Sequence, residues 1–299
     1  MQESLGYILL GLQQSPFLFY CCAFLFGACV GSFLNVVIYR LPIMMEREFK
    51  ASCEEYFDCT CESQTEGVNE QVFTLAKPRS RCPSCGRQIK AWENLPIISY
   101  LLMRGKCTGC KQHISMQYPL VELLVGALTV VLAVKFGVSL QFLAAFAMTA
   151  ALVAMSGIDI KVQLLPDSMT LPLLWLGLLI SLIGGGLFVS PQSAIIGAAL
   201  GYLSLWSVYH LFKLATGKEG MGYGDFKLLA MLGAWMGASM LPLIIILSAL
   251  AGSVIGLGLI LFQGRDKATP LPFGPYLAIA GWIAFLWGDR IMGAYLSQF

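Results

Sequence analysis

Residues 220–262 read GMGYGDFKLLAMLGAWMGASMLPLIIILSALAGSVIGLGLILF, and this stretch decides the class of fold. Beyond Lys227 it carries no Asp, Glu, Lys, Arg or His up to Phe262. A helix needs about 20 predominantly apolar residues to cross a hydrocarbon core of about 30 Å, so the run reads as membrane-spanning. Gly220, Gly222 and Gly224 precede Asp225, which falls at its edge. Ionisable groups in such places are costly and tend to mark function.

The rest of the chain agrees. Of 299 residues, 57% are hydrophobic and 12% charged, against about 25% charged in a soluble domain; the mean hydropathy is +0.74. Apolar periodicity and breakers predict spans over 16–38, 119–135, 139–158, 169–188, 193–212, 226–239, 241–262 and 272–289. The expected fold is an all-α polytopic membrane protein of about eight transmembrane helices, with a cytoplasmic zinc-ribbon-like insert between the first two. The expected divisions are a first transmembrane helix at 1–39, a four-cysteine domain at 40–118 and a transmembrane core at 119–299. No Lys or Arg precedes Arg40, so the first run lacks the basic region of a secretory signal and is expected to stay as an anchor.

Charge sets the orientation. Eleven of nineteen Lys and Arg residues lie between Arg40 and Lys111. Placing that segment in the cytoplasm, where basic loops are retained, puts both termini outside and leaves only Lys135 and Arg290 there. Asp159, Asp167 and Asp225 then all fall on the cytoplasmic side. A net charge of +2 gives no reason to expect a nucleic-acid partner.

Two C-x2-C pairs, Cys82/Cys85 and Cys107/Cys110, have the spacing of a four-thiolate zinc site. A closed site of that kind is structural, because catalytic zinc keeps an open position. Cys53, Cys59 and Cys61 have no evident fourth ligand and are expected to form no second site.

Asp159 and Asp225 form the other constellation. Two carboxyls held close in a partly dry place share a proton, one activating water while the other protonates a carbonyl. The alternative is that each caps a helix or pairs with Lys161 or Lys227; Asp167, before an apolar run, suits a helix cap. Gly222 and Gly224 offer unusual backbone angles and room for another chain, although glycine also serves helix packing. Asn35 and Arg40 close the first span, where Arg40 is expected to snorkel to headgroups. His113 and His210 have no convincing partner for serine-hydrolase chemistry, and no H-E-x-x-H, P-loop or dinucleotide motif occurs. A transporter would place its acids near mid-membrane within internal repeats, and neither is seen.

Five ordered stretches carry a resemblance: GSFLNVVIYRLP (31–42), RSRCPSCGRQIKAWENLPIISYLLMRGKCTGC (79–110), ISMQYPLVE (114–122), DIKVQLLPD (159–167) and GMGYGDFKLLAMLGAW (220–235). Together the chain resembles the bacterial type IV prepilin peptidases, membrane aspartic proteases whose GxGD signature is shared with presenilin-type proteases. The resemblance implies cleavage of the basic leader of prepilins and type II secretion pseudopilins at the cytoplasmic face of the inner membrane. It also implies N-methylation of the new terminus with S-adenosylmethionine, for which no binding residues can be assigned. By position, Asp159 and Asp225 become the catalytic pair, with Gly222, Gly224, Asp167 and Lys227 supporting them. The cysteine quartet coincides with the family's cytoplasmic zinc element. The chain departs from the pattern in a longer, cysteine-rich segment after residue 45 and in Gln117, which stands where Arg is expected.

Overall fold

A computed structural model describes residues 15–57, 73–218, 220–263 and 271–298. The helices are α1 (Pro16–Phe57), α2 (Ile98–Leu102), α3 (Gln117–Phe136), α4 (Leu140–Val162), α5 (Asp167–Ser181), α6 (Pro191–Thr216), α7 (Tyr223–Met236), α8 (Leu241–Gln263) and α9 (Gly274–Leu296). Among the described residues there is no strand, only two isolated bridges, Arg81 with Gln88 and Lys106 with His113. Helices satisfy their own backbone groups, which is what a chain exposed to hydrocarbon requires. Six of them are long and apolar enough to cross a membrane. This is a polytopic, almost wholly helical membrane protein.

Each of the eight expected spans falls on a helix, but two are short. Helix α5 has 15 residues and α7 has 14, about 21–23 Å at 1.5 Å per residue. For α7 the reason is burial. Every residue from Asp225 to Met236 except Lys227 is buried, and a helix apolar on all sides belongs inside protein. It packs against α5, α6 and α9, so it need not reach from one lipid interface to the other. Gly237, at φ 79° and ψ 172°, a conformation open to glycine, ends it. Pro242 sits in the first turn of α8, where a missing N–H costs nothing.

The chain forms two compact units, Met1–Phe142 and Leu143–Phe299. In the first, α1 packs along α3. A Cβ on Gly31 would lie 2.8 Å from the Cα of Glu122, so the two helices approach backbone to backbone there. Residues 40–57 continue α1 as helix and carry an exposed Glu46–Lys50 pair at i,i+4. In the second unit α7 is the axis. Gly197 on α6 and Gly233 on α7 face each other so closely that a Cβ on either would stand 2.2 Å from the other's carbonyl oxygen. The buried Trp235 Nε1 donates to Leu173 O of α5 at 2.9 Å.

Candidate active site and metal centre

Asp159 lies in the last turn of α4 and Asp225 in the first turn of α7; they are 5% and 7% exposed. Among the described residues neither carboxyl has a Lys or Arg partner. Asp159 Oδ2 instead accepts a hydrogen bond of 2.9 Å from the backbone N–H of Gly274, the first residue of α9. Asp159 thus sits at the carboxyl end of its own helix and against the amino end of α9, and Asp225 in the first turn of α7. One side chain lies against the starts of both α7 and α9. Leu165, in the loop after α4, lies 2.8 Å from where a Cβ on Gly224 would be and 3.2 Å from where one on Gly274 would be.

Of the reasons expected for the glycines before Asp225, space applies and unusual backbone angles do not. Gly222 has ordinary extended angles (φ −80°, ψ 148°). A Cβ there would lie 3.9 Å from Asp225 Oδ2 and touch nothing nearer, so its bareness leaves the approach to that carboxyl open. Gly224 is already helical and is bare because Leu165 presses on it. Close approach, not unusual torsion, is what the motif provides.

Asp167 does not cap its helix. No side-chain cap is made at the start of α5, where Pro166 occupies the N-cap. Its carboxylate takes both oxygens to Lys227 Nζ, at 2.7 and 2.6 Å, tying the start of α5 to the first turn of α7. The pair is half-exposed, so its value in stability is about 0–1 kcal/mol; what it fixes is where α7 begins.

The first unit holds the cysteines. Two loops repeat one pattern: Gly86 N donates to Cys82 O and Cys82 N to Arg87 O, while Lys111 N donates to Cys107 O and Cys107 N to Gln112 O. Ile89 N to Ser80 O and Ile114 N to Gly105 O close each hairpin. The residues following the second cysteines, Gly86 and Lys111, are both left-handed. The sulfurs of Cys82, Cys85, Cys107 and Cys110 all lie within 4.8 Å of one another, with Cys82 Sγ 3.7 Å from Cys110 Sγ. Tetrahedral zinc at a Zn–S distance of about 2.3 Å requires sulfurs about 3.8 Å apart, so the quartet fits a metal ion of that kind. Behind it the buried Glu93 joins the two loops. It accepts from Lys90 N (2.9 Å), the Thr108 hydroxyl (2.7 Å) and Arg87. The Lys90 N–H, then the Thr108 hydroxyl, then Arg87 hold its carboxyl down at about 2.

Arg40 does not snorkel. It is buried, and donates to the carbonyls of Thr74 (2.9 Å), Leu75 (3.4 Å) and Pro78 (2.6 Å) while lying over Phe73. It fastens the chain entering the ribbon to α1. Asn35 is buried between α1 and α3 and donates to Gly31 O and Tyr118 O. Cys59 and Cys61 lie outside the described residues, and Cys53, on α1, is a free thiol.

Sequence reasoning missed Gly274 and Leu165. The available signal was Phe273-Gly274-Pro275 heading the last apolar run: a proline suited to a first helical turn, beside a residue able to approach a carboxylate closely.

Comparison with known proteins agrees with the motifs. Residues 146–257 match the family described as Type IV leader peptidase family, and residues 25–136 match the Bacterial Peptidase A24 N-terminal domain. The chain is 55% identical over 286 residues to the prepilin leader peptidase/N-methyltransferase of Stutzerimonas stutzeri, covering 96% of each. It is 54% identical to the protein of that name from Aeromonas hydrophila, covering 95% of this chain and 96% of that one. For the Pseudomonas aeruginosa protein the figure is 52%, over 96% of each. No solved structure matches.

Proposed function

The chain belongs to the type IV leader peptidase family, and from that premise we propose that Asp159 and Asp225 are the catalytic pair of an endopeptidase that removes the leaders of prepilins and type II pseudopilins. The observation that carries this reading is two buried carboxyls, without basic partners among the described residues, at helix ends that share Leu165 as a neighbour. So placed, the pair holds one proton between them. The ionised member takes a proton from water, whose oxygen attacks the scissile carbonyl carbon. The protonated member gives its proton to the carbonyl oxygen. Collapse of the gem-diol breaks the C–N bond, with the proton returned to the leaving amine. Gly222 leaves room for the substrate backbone beside Asp225, and the Asp167–Lys227 pair sets the register of α7.

The second activity is methylation of the new N-terminus, with S-adenosylmethionine as methyl donor, as the names of the relatives suggest. The four cysteines hold zinc in a closed, structural site that keeps the two loops together; Cys82, Cys85, Cys107 and Cys110 supply all the ligands. The protein is a multi-pass inner-membrane protein whose ribbon and dyad lie on the cytoplasmic side, with the termini in the periplasm.

The test is incubation of a purified prepilin with the wild-type protein, Asp159→Ala and Asp225→Ala, read by mass spectrometry. The expected result is a cleaved product from wild type alone, one methyl heavier when S-adenosylmethionine is present. Full cleavage by either single variant removes the dyad assignment. Bound zinc should disappear in Cys82→Ser.

A further inference from the structure

The ribbon contains a helix that is inside out for a soluble domain. On α2, Ile98, Leu101 and Leu102 are related as i, i+3 and i+4 and so share a face, and that face is exposed, Leu101 at 68% and Leu102 at 75%. Leu95, just before it, is exposed as well. The inward side carries the polar groups: Ser99, buried with its hydroxyl on Leu95 O at 2.7 Å, and Tyr100, whose hydroxyl reaches Met116 Sδ at 2.8 Å. A helix surrounded by water would place these residues the other way round.

The depth of this segment is fixed by one hydrogen bond. The backbone N–H of Ile97 donates to Glu122 Oε2 at 2.7 Å. Glu122 is five residues inside α3, a 20-residue membrane-spanning helix beginning at Gln117, so its Cα lies about 7 Å below the start of the helix. Helical side chains lean toward the amino end, which sets the carboxylate and the Ile97 amide beside the first two turns of α3. Ile97 has a positive φ (61°, with ψ −50°), rare for a β-branched residue, at this contact. The apolar face of α2 is thus held at the level where α3 enters the membrane. Around it stand exposed Trp92 and the exposed cations Lys90, Arg104 and Lys106, residue types that favour the headgroup region.

We propose that Leu95–Leu102 is a membrane-docking element of the ribbon, with Leu95, Ile98, Leu101 and Leu102 in the upper acyl region of the leaflet that α3 enters and Arg104 at the phosphates. The partner is the lipid bilayer itself. The metal-binding loops are then fixed against the membrane surface rather than swinging free of it. Glu122 is the group that sets the depth.

The test uses the full-length protein in vesicles of three parts phosphatidylcholine to one part phosphatidylglycerol. Emission of wild type is subtracted from that of Leu101→Trp, with Leu102→Trp as a repeat at the neighbouring position and Ser84→Trp, at the tip of the first cysteine loop, as a reference. Bound metal is measured on each variant to show that the ribbon is folded. The expected result is that the added tryptophan at 101 or 102 emits to the blue of that at 84. It should lose most of its intensity in vesicles with brominated acyl chains, and resist acrylamide. Quenching by acrylamide equal to that at 84, with no effect of bromine, would place the face in water and overturn the proposal. Protection from both quenchers would mean that protein covers the face, a second copy or another part of the chain, and would overturn it equally.

Discussion

Gly274→Ala tests how tightly the structure holds Asp159. A Cβ on Gly274 would stand 2.7 Å from Asp159 Oδ2, 3.2 Å from its Cγ and 3.2 Å from Leu165 Cδ2. A carbon and a carboxylate oxygen do not settle closer than about 3.2 Å, so the carboxyl or the start of α9 must move by about 0.5 Å. The same movement strains the 2.9 Å hydrogen bond from the Gly274 amide. A misplacement of about 1 Å costs about a hundredfold in rate, so half of that predicts a loss of about tenfold in kcat, or about 1.4 kcal/mol of transition-state stabilisation. A change confined to the placement of the carboxyl acts on the chemical step, so the loss should appear in kcat while KM holds. The assay is cleavage of a purified prepilin followed by mass spectrometry, with methylation of a pre-cleaved substrate measured on the same preparation. Gly293→Ala, on the same helix with nothing within 4 Å of the new methyl, is the control. Cleavage by Gly274→Ala within twofold of wild type, in protein that still methylates, would show that Asp159 tolerates the methyl without losing its placement.

Lys227→Met should reduce cleavage by less than about fivefold, because a half-exposed ion pair contributes about 1 kcal/mol at most; kinetics equal in severity to loss of Asp225 would give this pair a chemical role. Gly197→Ala drives a methyl to 2.2 Å from Gly233 O, and overpacking of this kind costs about 1–3 kcal/mol. Its apparent melting temperature in detergent should fall by roughly 2–10 °C, while Gly258→Ala, which meets nothing within 4 Å, leaves it unchanged. Glu93→Gln leaves Arg87 and the second cysteine loop less firmly joined, and zinc affinity by chelator competition should fall by about tenfold; unaltered affinity would show that the loops need no such tie.

The sequence made some of this legible because the chemistry is local. Cys82, Cys85, Cys107 and Cys110 announce their site by spacing, and the structure adds that the two loops are copies of one hydrogen-bonding pattern. The apolar runs announce the helices, since hydropathy averages over lipid-facing and buried residues alike. The run at 226–239 is already short in the sequence, but that averaging hides why, for a helix sheathed by protein and one bathed in lipid read the same. Residues 40–57 are charged enough to look like the start of a soluble domain, yet they extend α1. Arg40 looked like an anchor at the headgroups because its partners, the carbonyls of Thr74, Leu75 and Pro78, are distant in sequence and carry no side-chain signal. Gly274 was hidden in the same way: its contribution to the site is a main-chain N–H, which every residue but proline possesses.

Asp159 and Asp225 are proposed to act as one pair. Single-turnover cleavage of a prepilin by Asp159→Asn, by Asp225→Asn and by the double variant tests it most directly, with bound zinc and methylation of a pre-cleaved substrate confirming that each protein is folded. Groups that act as a unit are grossly non-additive, so each single variant should lose as much activity as the double variant, with methylation retained. A single variant that cleaves at a substantial fraction of the wild-type rate, or losses that multiply in the double variant, would show that the two carboxyls do not act together.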